Sequence, residues 1–180
     1  MTRVRFHDRL QGPGSWQAQN SRRRHLLGLL GWLLVAFAGA AIGAIGSSNA
    51  SSFYGQLMRP GWAPPGGLFA PVWTVLYFLM GLAAWLVWRS GGFREDRRAL
   101  ALFLVQLAAN ALWSWIFFDW HQGGAALAEI LILWCLIIAT IASFRRLNVL
   151  AAWLLLPYLL WVTFATALTF SVWRLNPGLL

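Results

Sequence analysis

The sequence predicts an all-α fold: a polytopic membrane protein built as a five-transmembrane-helix bundle. Three observations carry that prediction. Of the 180 residues, 59% are hydrophobic and only 11% are charged, whereas a soluble domain carries about a quarter charged residues. The apolar residues fall in runs long enough to cross hydrocarbon, which takes about 20 residues for ~30 Å. The third is charge placement. All 14 basic residues are arginine, and they sit at the ends of those runs rather than on one solvated face. That pattern answers to membrane topology and argues against a nucleic-acid partner, despite the net charge of +9.

Residues 1–25 are polar and arginine-rich, with Gly12, Pro13 and Gly14 as helix breakers, and are expected to form a mobile cytoplasmic tail. Ser21-Arg22-Arg23-Arg24 has the look of an export signal. The apolar stretch after it is of spanning length, so a basic anchor for the first helix is the preferred reading. The first span covers 26–46 and carries the small-x-x-x-small pair Gly39 and Gly43, which suits close packing inside the monomer or against a second copy.

A connector covers 47–70. Its segment Arg59–Trp73 holds four prolines, Pro60, Pro64, Pro65 and Pro71, with Trp62 and Trp73 among them. Proline fixes φ and removes an amide donor, so regular helix is not expected until Pro71, which suits a first helical turn. This stiff aromatic loop is read as a lid over a pocket. The later spans are placed at 71–89, 97–118, 124–143 and 149–175, the last kinked by Pro157. Residues 26–176 make one membrane domain, and 177–180 are a short tail.

With five spans the two chain ends lie on opposite sides. Twelve arginines flank one side (Arg3, Arg5, Arg9, Arg22, Arg23, Arg24, Arg89, Arg94, Arg97, Arg98, Arg145 and Arg146), while Arg59 and Arg174 flank the other. The excess places the amino terminus inside and the lid loop outside, and favours the cytoplasmic membrane.

Trp73, Tyr77, Met80 and Trp88 share a broad face of the second span. Gln106, Asn110 and Ser114 recur every four residues on the third, beside Trp113 and Phe117. Trp161, Ala165 and Leu168 form a comparable face on the fifth. An unpaired amide in hydrocarbon is costly, so the polar stripe should point inward, for interhelical hydrogen bonding or for a ligand. Glu129 lies within the fourth span, where a carboxylate is either functional or neutral and hydrogen-bonded. Trp73, Trp113, Trp134 and Trp161 lie deep, and aromatic walls with few polar groups suit a flat, largely apolar ligand. Arg59 is placed to pair with a carboxylate at such a ligand's edge, or with a lipid headgroup.

Cys135 is the only cysteine, and His7, His25 and His121 all fall outside the spans, so no metal site is expected. No phosphate loop, nucleophile elbow or metal-ligand spacing occurs. Any reaction would draw its reactivity from the ligand, and no cofactor is required.

The residues quoted so far belong to a pattern. Arg59-Pro60-x-Trp62-x-Pro64-Pro65 is followed by Val72-Trp73-Thr74-x-Leu76-Tyr77-x-x-Met80-Gly81, then Gln106-Leu107-x-x-Asn110-x-x-Trp113, then Pro157-Tyr158-x-x-Trp161-x-x-x-Ala165-Thr166. Taken in this order, from about Phe53 to Asn176, the chain resembles the TspO/translocator-protein family, the tryptophan-rich sensory proteins related to the peripheral-type benzodiazepine receptor. The resemblance implies a five-helix bundle, usually a homodimer, with the first loop closing over a pocket. It implies binding of porphyrins such as protoporphyrin IX or haem, and of benzodiazepine- or isoquinoline-type compounds. Pocket positions carried over are Tyr54, Pro64, Trp73, Tyr77, Asn110, Trp113, Ser114, Glu129, Trp161 and Ala165.

Some bacterial members degrade protoporphyrin in light, and the two tryptophans tied to that activity match Trp73 and Trp161, the catalytic pair if this chain is an enzyme. Transport of porphyrin or another amphipath is a third reading, although the five spans show no inverted repeat. The resemblance also places some members in an outer membrane. The departures are specific. Phe170 stands where the sterol-recognition segment needs tyrosine, which argues against a sterol partner. Phe117-Phe118-Asp119-Trp120-His121-Gln122 replaces a turn that in relatives often has glycine and then a basic residue.

Overall fold

The computed structural model describes the backbone of residues 13–95 and 97–180, and the side chains of residues 20–91 and 97–180. The side chains of Arg3, Arg5, His7, Arg9, Trp16 and Arg94 lie outside the described residues. The chain runs through α1 (Pro13–Gly46), α2 (Ala50–Gln56), a 3-10 turn at Gly66–Leu68, α3 (Phe69–Glu95) and α4 (Arg97–Ser114). A wider π-turn at Trp115–Asp119 follows, then α5 (Gly123–Leu147), α6 (Val149–Leu154) and α7 (Leu156–Leu175). No strand occurs among the described residues. Among the described residues, five helical stretches are long and apolar enough to cross a membrane: Asn20–Gly46, Gly66–Gly91, Arg97–Asp119, Gly123–Leu147 and Val149–Leu175.

The helices outrun the spans read from the sequence. α1 starts at Pro13, inside the stretch expected to be a mobile tail. Proline at the first helical turn loses only an amide that has no helical partner there, so Pro13 starts a helix instead of preventing one. α3 continues to Glu95, through the expected turn. Between α5 and α6 only Asn148 is non-helical. It has extended backbone, and its side-chain oxygen accepts a hydrogen bond from Ala151 N, capping α6. The connector also holds α2, whose Phe53 and Tyr54 are buried.

The spans close into a ring. α1 packs between α3 and α4, α4 lies on α5, α5 on α6 and α7, and α6 returns to α3. Pro157 lies in the first turn of α7, and the chain steps out of α-helix at Leu155. That break lets α6 stay against α3, whereas α7 touches α3 only slightly, so the bundle opens between α3 and α7 at the lid end.

Glycines set the close approach of α1. A Cβ on Gly39 would fall 2.8 Å from the Leu107 side chain, and one on Gly43 would meet Ser114 and the Ala111 backbone. On α3, a Cβ at Gly81 would meet the backbone of Trp32 and Leu33. The small-residue stripe is therefore spent on α4 within the monomer. The core, with Met80, Leu100, Phe103, Phe144 and Tyr158 fully buried, sits between the ring and the end opposite the lid. Arg22, Arg23, Arg24, Arg89, Arg97, Arg98, Arg145 and Arg146 flank that end, and Arg59 and Arg174 flank the lid end. At the arginine-rich end the guanidinium of Arg24 lies over Trp88, and that of Arg89 over Trp85.

Candidate functional site

The opening between α3 and α7 is a cavity of about 750 Å3. That lies within the ~300–1,000 Å3 of small-molecule sites. Its wall is mainly apolar and is drawn from α1, α2, α3, α4, the π-turn and α7, with the segment around Arg59 and Gly66–Phe69 at its mouth. Of the residues singled out in the sequence, Tyr54, Arg59, Trp73, Tyr77, Asn110, Trp113, Ser114, Trp161 and Ala165 line it.

Two do not. Pro64 is not part of the cavity wall, and its carbonyl accepts a hydrogen bond from the Tyr54 hydroxyl at 3.1 Å. Glu129 is buried in α5, which contributes no lining residue. Its two carboxylate oxygens have no hydrogen-bond partner among the described residues. The Gln106 amide, also outside the cavity wall, is buried in the same condition. Internal water is the ordinary partner of such groups.

The aromatic wall is continuous. Trp73 and Tyr77 lie 5.6 Å apart on successive turns of α3, and Trp73 meets Tyr158 edge-on at 6.2 Å. Phe69 bridges the mouth, edge-on to Tyr54 at 5.5 Å and to Trp161 at 5.9 Å. Trp113 stacks on Phe117 at 5.1 Å. The π-turn brings Phe118 to the cavity as well, because an extra residue per turn narrows the angle between successive side chains. The polar features are few. The Tyr77 hydroxyl donates to Asn110 Oδ1 at 2.5 Å, tying α3 to α4 at the cavity wall. The Arg59 guanidinium lies 4.8 Å over the Tyr54 ring.

Two sets of indole N–H groups contrast. Those of Trp85, Trp115 and Trp134 donate to His25 O, Ile42 O and Thr163 Oγ1. Those of Trp113 and Trp161, both on the cavity, are buried and have no acceptor among the described residues. Sequence reasoning also missed the α1 side of the wall, Phe37, Ala40, Gly43, Ala44 and Ser47. The available signal was the density of small residues there, which serves helix packing and leaves open space equally well.

The chain's likeness to known proteins agrees with this architecture. The TspO/MBR family profile matches residues 31–174. Protein CrtK of Rhodobacter capsulatus is 43% identical over 146 residues, 79% of this chain and 88% of that protein. The tryptophan-rich protein TspO of Chlorobaculum tepidum is 40% identical, covering 81% and 90%. The translocator protein of Homo sapiens is 42% identical over 128 residues, 70% and 76%. Identity at this level over four-fifths of the chain, on a five-span bundle with an aromatic cavity under its first loop, leaves one assignment: the protein is a member of the TspO/MBR family of integral, multi-pass membrane proteins.

Proposed function

We propose that the protein binds porphyrin-type tetrapyrroles, protoporphyrin IX or haem, in the cavity beneath the first loop, as a sensor or carrier of that ligand. The observation that carries this reading is the pair of unspent indole N–H groups, Trp113 and Trp161, in an otherwise apolar and aromatic wall. A buried donor without an acceptor costs about 1–3 kcal/mol, a cost that a ligand carrying acceptor atoms removes. A flat conjugated ligand would meet Trp73, Trp113 and Trp161 by stacking and edge contact. Arg59 at the mouth offers a charge-assisted partner to a carboxylate at its rim. The arginine-rich end supports a cytoplasmic-membrane location with the amino terminus inside.

The test is a titration of the protein in lipid nanodiscs with protoporphyrin IX and with its dimethyl ester. Saturable uptake of the free acid is expected, with weaker uptake of the ester. Arg59→Ala should remove most of the difference between the two. Non-saturable partitioning, equal to that of empty nanodiscs, would overturn the reading.

A second reading is favoured by the placement of Trp73 and Trp161 on one cavity. Light absorbed by the bound macrocycle would drive its oxidation by dissolved oxygen, with these indoles as redox partners. Porphyrin loss in the illuminated complex at the dark rate would dispose of it.

A further inference from the structure

Asn176, just beyond α7, is buried to 5% exposure and uses its whole carboxamide on two other stretches of chain. Its Oδ1 accepts from Met58 N at 2.8 Å, and its Nδ2 donates to Met58 O at 2.9 Å and to Val172 O at 2.7 Å. Both backbone polar groups of Met58 are therefore paired with one side chain 118 positions away. Asn176 is itself held, because its carbonyl accepts from Leu179 N and Leu180 N.

Met58 is where the lid begins. Leu57 before it is extended and buried, ending α2. From Arg59 to Pro65 the chain has three prolines without amide donors. The other attachments of this stretch are turn bonds from Ala63 N to Pro60 O and from Leu68 N to Pro65 O, the bond from Tyr54 to Pro64 O, the Arg59 guanidinium over the Tyr54 ring, and an edge contact of the half-exposed Trp62 with Phe164 at 5.7 Å. Neither Met58 nor Asn176 lines the cavity.

We propose that the Asn176 carboxamide is the latch that holds the lid loop closed on the bundle, a positioning residue that sets how fast the lid opens and hence how fast ligand exchanges. A latch that never touches ligand changes the fraction of time the lid is open, so removing it raises association and dissociation rates by one common factor. A residue of purely structural importance would lower thermal stability and weaken binding instead. The kinetic half of the proposal rests on the tetrapyrrole reading above, whereas the closure of the loop does not.

The experiment uses the full chain in nanodiscs, as wild type, Asn176→Ala and Asn176→Asp, with melting followed by circular dichroism to establish folding. Without ligand, hydrogen exchange over residues 57–65 should speed up about tenfold or more in Asn176→Ala, from the loss of hydrogen bonds at Met58. Asn176→Asp keeps the acceptor for Met58 N and loses both donated bonds, and should fall between. It serves as the deciding variant if the alanine protein does not fold. With protoporphyrin IX as probe, stopped-flow rates of uptake and release should rise together while Kd holds. Unchanged exchange over 57–65 in a folded variant overturns the latch, as does faster exchange with both rates unchanged. If the wild type fails to take up protoporphyrin IX, the tetrapyrrole reading falls and the exchange result alone decides the latch.

Discussion

Replacing Trp161 by phenylalanine tests the cavity most directly, with Trp134→Phe as its control. Both tryptophans are half-buried in neighbouring spans, but they use their N–H groups differently. Trp134 donates to Thr163 Oγ1 at 2.9 Å and does not reach the cavity. Trp161 lines the cavity, and its N–H has no acceptor among the described residues. Trp161→Phe removes a hydrogen bond to ligand, about 0.5–1.5 kcal/mol. It also removes the pyrrole half of the ring surface, part of the ~0.5–1.5 kcal/mol of an aromatic contact. The combined loss is about 1–2 kcal/mol, or roughly 5- to 30-fold in Kd at 1.4 kcal/mol per decade. The control should stay within about twofold, because its change touches only the contact between α5 and α7. Binding is best followed by porphyrin absorbance, since indole emission itself changes in both variants. An affinity of Trp161→Phe matching that of wild type, or an equal loss in Trp134→Phe, would refute the assignment of the indole N–H to ligand.

Two further outcomes are expected from packing. Gly81→Ala should destabilise the bundle by about 1–3 kcal/mol, because the new methyl meets the Leu33 Cα at 3.1 Å and the Trp32 carbonyl at 3.2 Å, and backbone cannot step aside. Gly43→Ala, whose nearest neighbour is Ser114 Oγ at 3.4 Å, should be neutral or slightly stabilising; equal denaturation midpoints for the two variants would contradict the α1 packing. Tyr77→Phe and Asn110→Leu should be coupled by about 0.6–1.7 kcal/mol in a double-mutant cycle, the range of interhelical hydrogen bonds in membranes. Strict additivity would mean that the bond between α3 and α4 contributes nothing.

The five spans were legible because apolar run length and arginine placement are one-dimensional signals that the bilayer imposes. Their ends were less so. Pro13 reads as a breaker until it is seen to occupy the first turn of α1. α2 is too short and too polar to announce itself, and it exists because Phe53 and Tyr54 bury against Phe117 and Phe69. The π-turn after Ser114 has no compositional mark at all. In the cavity, large aromatic residues at helical spacing could be named in advance. The α1 wall could not, since alanine and glycine mark close packing and open space alike. The Asn176 pairing with Met58 joins residues 118 apart and depends wholly on how the last helix ends.

The π-turn at Trp115–Asp119 closes with Trp120 N on Trp115 O, one residue wider than an α-helical turn. That surplus residue sets the angular phase between the body of α4 and the chain that leaves it through His121, whose φ of +53° reverses its direction. Shortening the stretch by one would swing the side chains after it by about 100°, carrying Phe117 and Phe118 off the cavity or α5 off α4. Five residues thus act as a spacer whose length, more than its composition, keeps the aromatic wall in register with the helix behind it.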